Sequence, residues 1–182
     1  MRHFLQIAGN VDTVPVLNAL ATNPGLWNEV SVRTSHPASP HVQADDILVF
    51  FNEIPADPTQ ILDDIQTRPY PAWSALPQLR PLVFDLMRRV EATQLGRVMI
   101  TRLSPGARIA PHVDEGAPAT FFSRYHVALQ SHPGALFRIE DETVTFATGD
   151  AWWVNNRLEH EVINNSADDR IVLIVDLRVP TP

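Results

Sequence analysis

The chain has 182 residues, of which 45% are apolar and 19% charged, a composition typical of one folded globular domain spanning residues 1–182. A formal charge of −7 argues against a nucleic-acid partner, and the absence of cysteine and lysine excludes disulfides, thiolate zinc sites and Schiff-base chemistry. No apolar run reaches the roughly 18 residues of a membrane span and the first residues lack a secretory signal pattern, so we expect a soluble cytoplasmic protein without a membrane partner.

The first half of the chain, residues 1–95, mixes short elements with proline and is expected to support the second half. Residues 3–8 (HFLQIA) predict a first strand. Asp12 is placed to cap a short helix that ends near the Asn-Pro at residues 23–24. A further strand is expected at Glu29–Arg33.

The rest of this half predicts a loop, a buried strand and two helices. Residues 35–43 are too polar and proline-rich for regular structure and predict a surface loop over the substrate. The apolar run of residues 45–54 predicts a strand buried on both faces. A short helix is predicted at residues 58–66, and a longer helix is expected from residue 76 to 95, with Gly96 ending it.

The second half, residues 96–180, reads as a succession of short strands. Pro-Gly, Gly and Asn-Asn turns separate the runs at close spacing, which is the pattern of a sandwich or barrel. The strand-length runs are RVMITRL, RIAPHVD, RYHVALQ, LFRIE, TVTFA, AWWVNN, HEVINN and RIVLIVDLR. We therefore predict a mainly β fold, a cupin-like jelly roll with packing helices from the first half.

Two histidines and an aspartate in this half form a candidate metal site. His112 and Asp114 are two residues apart on a predicted strand, so their side chains share a face, and His160 begins a later strand. Two imidazoles and a carboxylate can occupy one side of an octahedral ion and leave positions open, as in non-haem Fe(II) oxygenases. Each of these patterns taken alone is also typical of solvated residues at strand ends.

A second group of side chains predicts a cationic pocket beside the histidines. Arg170 opens an otherwise apolar strand and needs an acidic partner, either a bound dicarboxylate or the neighbouring Asp168 or Asp169. Arg124 and His126 share one face of a strand. In isolation, that pair is more typical of an exposed surface than of a binding site.

Four stretches of the second half resemble the aspartyl/asparaginyl β-hydroxylase family of Fe(II)/2-oxoglutarate oxygenases, which includes bacterial proline cis-hydroxylases. The stretches match in order and spacing between about Thr101 and Asp176: SPGARIAPHVD, SRYHVAL, GDAWWVNNRLEHEVINNS and DDRIVLIVDLR. The resemblance implies a double-stranded β-helix that uses Fe(II), 2-oxoglutarate and dioxygen. It also implies that His112 and His160 are iron ligands.

The resemblance assigns roles around the co-substrate as well. Arg170 would pair with the distal carboxylate of 2-oxoglutarate, and Arg124 and His126 match an Arg-X-His motif that contacts the co-substrate. Thr101 falls where the family has a hydroxyl-bearing co-substrate residue. Asp114 departs from the animal members, which have glycine there, and agrees with the free-amino-acid hydroxylases.

The function expected from this resemblance is hydroxylation of an amino acid, an amino-acid derivative or a residue in a peptide or carrier-bound intermediate. His41 and Asn52, in the first half, are candidates for substrate contact, and Asn156 is expected to shape the turn before His160. Two other functions stay open: a cupin-type metal enzyme that does not use 2-oxoglutarate, and a non-enzymatic barrel that senses a metal or ligand.

Overall fold

A computed structural model describes residues 1–35, 38–55, 60 and 63–180, and it is mainly β. Its strands are β1 (Phe4–Ala8), β2 (Ala44–Phe51), β3 (Arg68–Pro69), β4 (Gln94–Leu103), β5 (Arg108–His112), β6 (Ser123–Gln130), β7 (Ala135–Ile139), β8 (Glu142–Val144), β9 (Ala151–Val154), β10 (His160–Asn164) and β11 (Arg170–Arg178). Its α-helices are α1 (Val14–Thr22), α2 (Pro71–Ala75), α3 (Leu79–Arg89) and α4 (Gly116–Phe121).

The strands form two antiparallel sheets. The larger sheet has the order β1-β9-β6-β11-β4-β2-β3, and the smaller has the order β5-β10-β7-β8. Each of the eight runs predicted after Gly96 contains residues of a strand, so the jelly-roll prediction is confirmed. Short apolar runs, separated at close spacing by turn residues, predicted this pattern.

The two faces of the larger sheet are buried differently. Its inner face and the smaller sheet enclose an aromatic cluster that includes Phe137, Phe146 and Trp152. Its outer face packs with residues of α1 and α3 such as Val16 and Val83. The helices of the first half therefore pack outside the barrel, as predicted. The interior between the sheets contains buried polar residues as well as the aromatic cluster.

No helix in the described part of the chain has the length and apolar character needed to cross a membrane. The longest of them, α3, has 11 residues.

Several local predictions for the first half were wrong, and tertiary pairing explains the clearest one. Residues 29–33 lie in bends and turns and form no strand. The helix expected over residues 76–95 ends at Arg89, because residues from Gln94 onward pair with β11. Asp12 lies one residue before the N-cap Thr13, and its carboxylate accepts a hydrogen bond from the Val14 backbone N–H at 3.2 Å. Most of the helix predicted at residues 58–66, and part of the loop predicted at residues 35–43, lie outside the described residues.

Gly96 lies inside β4, where it allows a close approach between elements. A Cβ at this position would lie 2.9 Å from Phe122 Cζ and 3.0 Å from the Asp176 carbonyl oxygen. We therefore expect Gly96→Ala to lower the free energy of unfolding by about 1–3 kcal/mol, as overpacked cores do. Urea denaturation measures this, with Gly25→Ala as the control because nothing lies within 4 Å of a Cβ there. Equal stability of Gly96→Ala and the parent would contradict the packing argument.

Candidate metal centre

The structure brings together the two histidines and the aspartate that the sequence singled out. His112 ends β5 and His160 begins β10, and the two residues are register partners in this antiparallel pair. Their imidazole centroids are 4.2 Å apart. Asp114 follows β5 by two residues, and one ligand atom from each of the three side chains lies within 4.8 Å of the others. The pairing of β5 with β10 therefore assembles a three-ligand cluster from residues 48 positions apart in sequence.

Backbone carbonyls orient both imidazoles toward a common point. His112 Nδ1 lies 2.8 Å from the Ala110 carbonyl oxygen, and His160 Nδ1 lies 2.9 Å from that of Leu158. Each Nδ1–H donates to its carbonyl, which leaves the Nε2 lone pair available to a metal. Burial lowers the pKa of His160 to about 4, so this imidazole is neutral at pH 7. The donor set of two imidazoles and one carboxylate suits Fe(II).

Two side chains hold the carboxylate of Asp114. Arg124 Nη1 donates to Asp114 Oδ2, and Asn156 Nδ2 donates to the same oxygen at 2.8 Å. Burial opposes ionisation, but the positive charge of Arg124 and the nearby His160 hold the pKa of Asp114 below its usual range. The sequence predicted only a turn-shaping role for Asn156, whereas the structure shows it bonded directly to this carboxylate.

Asp176 fixes the other edge of Arg124. The guanidinium donates to Asp176 through Nε at 2.8 Å and through Nη2 at 2.9 Å, and the two residues are cross-strand partners of β6 and β11. Asp176 was not among the residues predicted to form the site. A single acid within the apolar run RIVLIVDLR was the available signal, because a buried carboxylate needs a partner.

We expect Asp176→Asn to weaken metal binding about tenfold, because Arg124 would lose the group that orients it toward Asp114. Breaking this buried ion pair should also lower the free energy of unfolding by about 3 kcal/mol. Mn(II) titration followed by electron paramagnetic resonance and urea denaturation measure the two effects. Asp85→Asn is the matched control, since it removes an exposed arginine pair. Unchanged Mn(II) affinity in Asp176→Asn would restrict this ion pair to a purely structural role.

Arg170 is buried between the two sheets. It is 3% exposed, and its Nη2 has no hydrogen-bond partner among the described residues. Its Cζ lies 6.0 Å from the centroid of the Phe137 ring, which is itself 5.9 Å from that of His160. Desolvation lowers the pKa of Arg170 to about 10, so the side chain stays charged at pH 7.

Neither neighbouring acid pairs with Arg170 in the described part of the chain. The Asp169 carboxylate lies 3.9 Å from Arg102 Nε, and Asp168 Oδ1 accepts from the Asp169 backbone N–H at 2.8 Å. A buried guanidinium that lacks an acceptor is costly by several kcal/mol. The position of Arg170 therefore suits an anion that enters the barrel.

His126 is also buried in this interior, which excludes the exposed-pair interpretation. Its ring centroid lies 5.2 Å from that of Phe137, and its Nδ1 has no partner among the described residues. Burial, followed by the positive charge of Arg170, lowers the pKa of His126 well below its ordinary value. His126 is therefore a neutral hydrogen-bonding group in the same interior as Arg170.

The Thr101 hydroxyl is hydrogen-bonded to a carboxylate of the protein itself. It is 2% exposed, and its hydroxyl donates to Asp46 Oδ1 at 2.7 Å. Arg33 Nη1 donates to the other oxygen of Asp46 at 2.8 Å. Further contacts of the Thr101 hydroxyl would therefore use its oxygen as an acceptor.

A cavity of about 640 Å³ adjoins the cluster. His112 and Asp114 form part of its wall, and His41 lies at 4.9 Å between ring centroids from His112. Asn52 does not line it. Its remaining walls are formed by Val32, Arg33, Ser39, Pro40, Phe51, Arg97, Met99, Val113, Glu115, Ala119 and Arg124.

Comparison with known proteins gives one family match. Residues 61–180 match the sequence model of a family described as aspartyl/asparaginyl beta-hydroxylase. Among proteins with curated descriptions, none is significantly similar in sequence.

Similar folds occur in solved structures of low sequence identity. An oxidoreductase of the 2OG-Fe(II) oxygenase family from Burkholderia pseudomallei has 15% identity and a TM-score of 0.57, over 81% of this chain and 74% of that one. A prolyl-4-hydroxylase from Pseudomonas putida has 15% identity and a TM-score of 0.52, over 98% and 94%. A prolyl hydroxylase from Trichoplax adhaerens, in complex with a hypoxia inducible factor peptide fragment, has 14% identity and a TM-score of 0.59, over 97% and 83%.

Proposed function

The chain belongs to the aspartyl/asparaginyl β-hydroxylase family, and from this we propose that it is an Fe(II)- and 2-oxoglutarate-dependent dioxygenase acting as one domain over residues 1–182. Its substrate would be an amino acid, an amino-acid derivative or a residue in a peptide or carrier-bound intermediate. The co-substrate would be converted to succinate and carbon dioxide during the hydroxylation.

The observation that carries this proposal is the buried guanidinium of Arg170. It lies in the same interior as the metal cluster and has an unsatisfied Nη2 among the described residues. A two-pronged guanidinium matches a carboxylate in geometry and charge. A dicarboxylate with one end at the cluster and the other at Arg170 would satisfy both groups at once.

The three clustered side chains would hold the metal ion. His112 and His160 would contribute Nε2, and Asp114 would contribute a carboxylate oxygen while Arg124 and Asn156 hold it in place. When bound with its co-substrate, Fe(II) supplies the activation of dioxygen and the hydroxylation of an unactivated C–H bond.

Side chains of the barrel interior would bind and orient the co-substrate. Arg170 would bind its distal carboxylate, with His126 beside it, and Thr101 would accept a hydrogen bond. Phe137 and Phe146 pack in this interior and would exclude water from it. Exclusion of water strengthens the pairing of charges there, since the effective dielectric constant is low.

Turnover of labelled 2-oxoglutarate tests the function. We expect the purified chain with Fe(II) to form labelled succinate, and a matching amino acid, derivative or peptide to stimulate that rate. No succinate in any condition, despite metal binding, would reject the proposal in favour of a metal enzyme without 2-oxoglutarate or a sensing barrel. Metal-stimulated turnover of a substrate in the absence of 2-oxoglutarate would separate these two.

A further inference from the structure

Asn164 is a fully buried amide at the end of β10, the strand that begins with His160. Its Nδ2 donates to the carbonyl oxygens of Leu103 at 2.7 Å and of Asp168 at 2.9 Å. Its Oδ1 accepts from the backbone N–H of Ser166 at 3.1 Å and from the Ser166 hydroxyl at 2.6 Å. An amide with two donated and two accepted bonds has its full set of partners, so it is held in one orientation.

The bonds donated by Asn164 join the two sheets beside Arg170. Asn164 belongs to β10 of the smaller sheet, whereas Leu103 ends β4 of the larger sheet. Leu103 is the register partner of Arg170, which begins β11. The other acceptor, the carbonyl of Asp168, lies in the segment that leads into β11. Asn164 therefore holds the backbone both across the sheet from Arg170 and just before it.

Two further hydrogen bonds fix the turn of residues 164–169. Gln130 Nε2 donates to the carbonyl oxygen of Asp169 at 2.9 Å, immediately before Arg170. The backbone N–H of Asn164 donates to the Ala107 carbonyl at 3.0 Å. The turn therefore delivers the chain into β11 along a defined path, and the Asn164 side chain lies at its centre.

The two ends of the proposed co-substrate would be bound from different sheets. His112 and His160 lie on β5 and β10 of the smaller sheet, and Arg170 lies on β11 of the larger sheet. At the metal cluster, Arg124 of β6 connects the sheets by donating to Asp114. The separation of Arg170 from the cluster therefore depends on how the sheets are joined at the Arg170 end.

Directional bonds fix this separation better than apolar packing does. The aromatic cluster between the sheets supplies buried area, but the hydrophobic effect has no preferred direction. Hydrogen bonds weaken steeply when distance or angle changes, and a buried carbonyl that loses its donor is costly. A ligand bound at two points is sensitive to a displacement of about 1 Å between them.

We propose that Asn164 is a positioning residue for the co-substrate. By joining the sheets beside Arg170, it sets the distance from this guanidinium to the metal cluster, and thereby the length of 2-oxo dicarboxylate that binds. This inference rests on the proposed function and deepens it. Without the Asn164 amide, Arg170 would adopt several positions, so that binding of the matching acid weakens and acids of different length are distinguished less well.

Calorimetric titration of the Mn(II)-loaded protein with 2-oxoglutarate and with 2-oxoadipate, which is one methylene longer, tests this inference. We expect the parent to bind 2-oxoglutarate at least tenfold more tightly than 2-oxoadipate. Asn164→Ala should weaken 2-oxoglutarate binding at least tenfold and lower the ratio of the two affinities at least threefold, with Mn(II) affinity near the parental value. Equal weakening of both acids, which a purely structural role predicts, would overturn the proposal. A parent that does not distinguish the acids, or parental 2-oxoglutarate affinity in Asn164→Ala, would also overturn it.

Two other variants complete the test. Asn165→Ala is the matched control, because Asn165 is the exposed neighbour of Asn164 in the same turn. Ser166→Ala removes the hydroxyl bonded to Asn164 Oδ1 and should change the affinity and the ratio in the same direction by smaller factors. Urea denaturation checks that each variant is folded. If Asn164→Ala does not fold, a parental affinity and ratio in folded Ser166→Ala overturns the proposal.

Nuclear magnetic resonance of the metal-free protein separates this inference from the proposed function. If the parent binds neither acid, the proposed function fails, and the position of Arg170 is followed by its Nε–H signal, identified by its loss in Arg170→Ala. We expect this signal to shift or broaden in Asn164→Ala, while that of Arg124, whose Nε is bonded to Asp176, stays unchanged. An unaltered Arg170 signal would overturn the positioning role. If the parent prefers 2-oxoglutarate and Asn164→Ala retains that preference and affinity, this inference alone fails.

Discussion

Replacing both His112 and His160 by alanine is expected to abolish turnover and to weaken Mn(II) binding at least a hundredfold. The two imidazoles supply two of the three donor atoms in the cluster, and a lone carboxylate on Asp114 is a weak ligand for a divalent transition metal. The protein should remain folded, because the aromatic cluster between the sheets is built from other residues, although His160 contacts its member Phe137.

Three measurements check this expectation. Electron paramagnetic resonance gives the Mn(II) affinity, succinate formation gives the activity, and urea denaturation gives the stability. His132→Ala is the matched control, because His132 is an exposed histidine in a turn of the same half. If the double variant binds Mn(II) as tightly as the parent does, the assignment of the metal site is wrong.

The second large effect is expected at Arg170. Arg170→Ala should raise the 2-oxoglutarate requirement by at least a hundredfold, because the distal carboxylate would be buried without a partner. Arg170→Lys keeps the charge but loses the two-pronged geometry, so we expect an increase of about tenfold, equivalent to about 1.4 kcal/mol. The stability of the free protein should not fall in Arg170→Ala, since Nη2 has no partner among the described residues.

The affinity for 2-oxoglutarate is measured by calorimetric titration of the Mn(II)-loaded protein, and the requirement by succinate formation with Fe(II). Arg138→Ala is the control, because Arg138 of β7 pairs with Glu161 of β10 at the protein surface. An unaltered 2-oxoglutarate affinity in Arg170→Ala would show that this arginine has no role in binding the co-substrate.

The strands of the second half could be predicted because each is short, apolar and bounded by turns. The first half was harder, and the region around Gly96 shows why. The pattern of residues 76–95 is helical, yet Gln94 pairs with Arg178 in β11. Helical propensity over so few residues is a weak preference, and sheet pairing with a distant strand overrides it.

The candidate cluster could also be proposed from sequence, since the His-X-Asp spacing and the later histidine were visible. The roles of two of its supporting residues could not be predicted in the same way. Asn156 was expected only to shape a turn, and Asp176 was not predicted as a site residue, although it binds Arg124 from 52 residues away in sequence. The cavity arginines Arg33 and Arg97 carried no motif, because they belong to segments of the first half and of β4 that meet only in the folded chain.

From the sequence alone followed the succession of short strands along the second half and the identity of three candidate ligands, because both depend on local composition and spacing. Only the tertiary structure decided which arginines are neutralised and which face a ligand. Arg124 lies between two carboxylates, whereas Arg170 is buried with an unsatisfied Nη2 among the described residues. The physical reason is that charge pairing depends on distances between strands far apart in sequence, and residue type does not encode those distances.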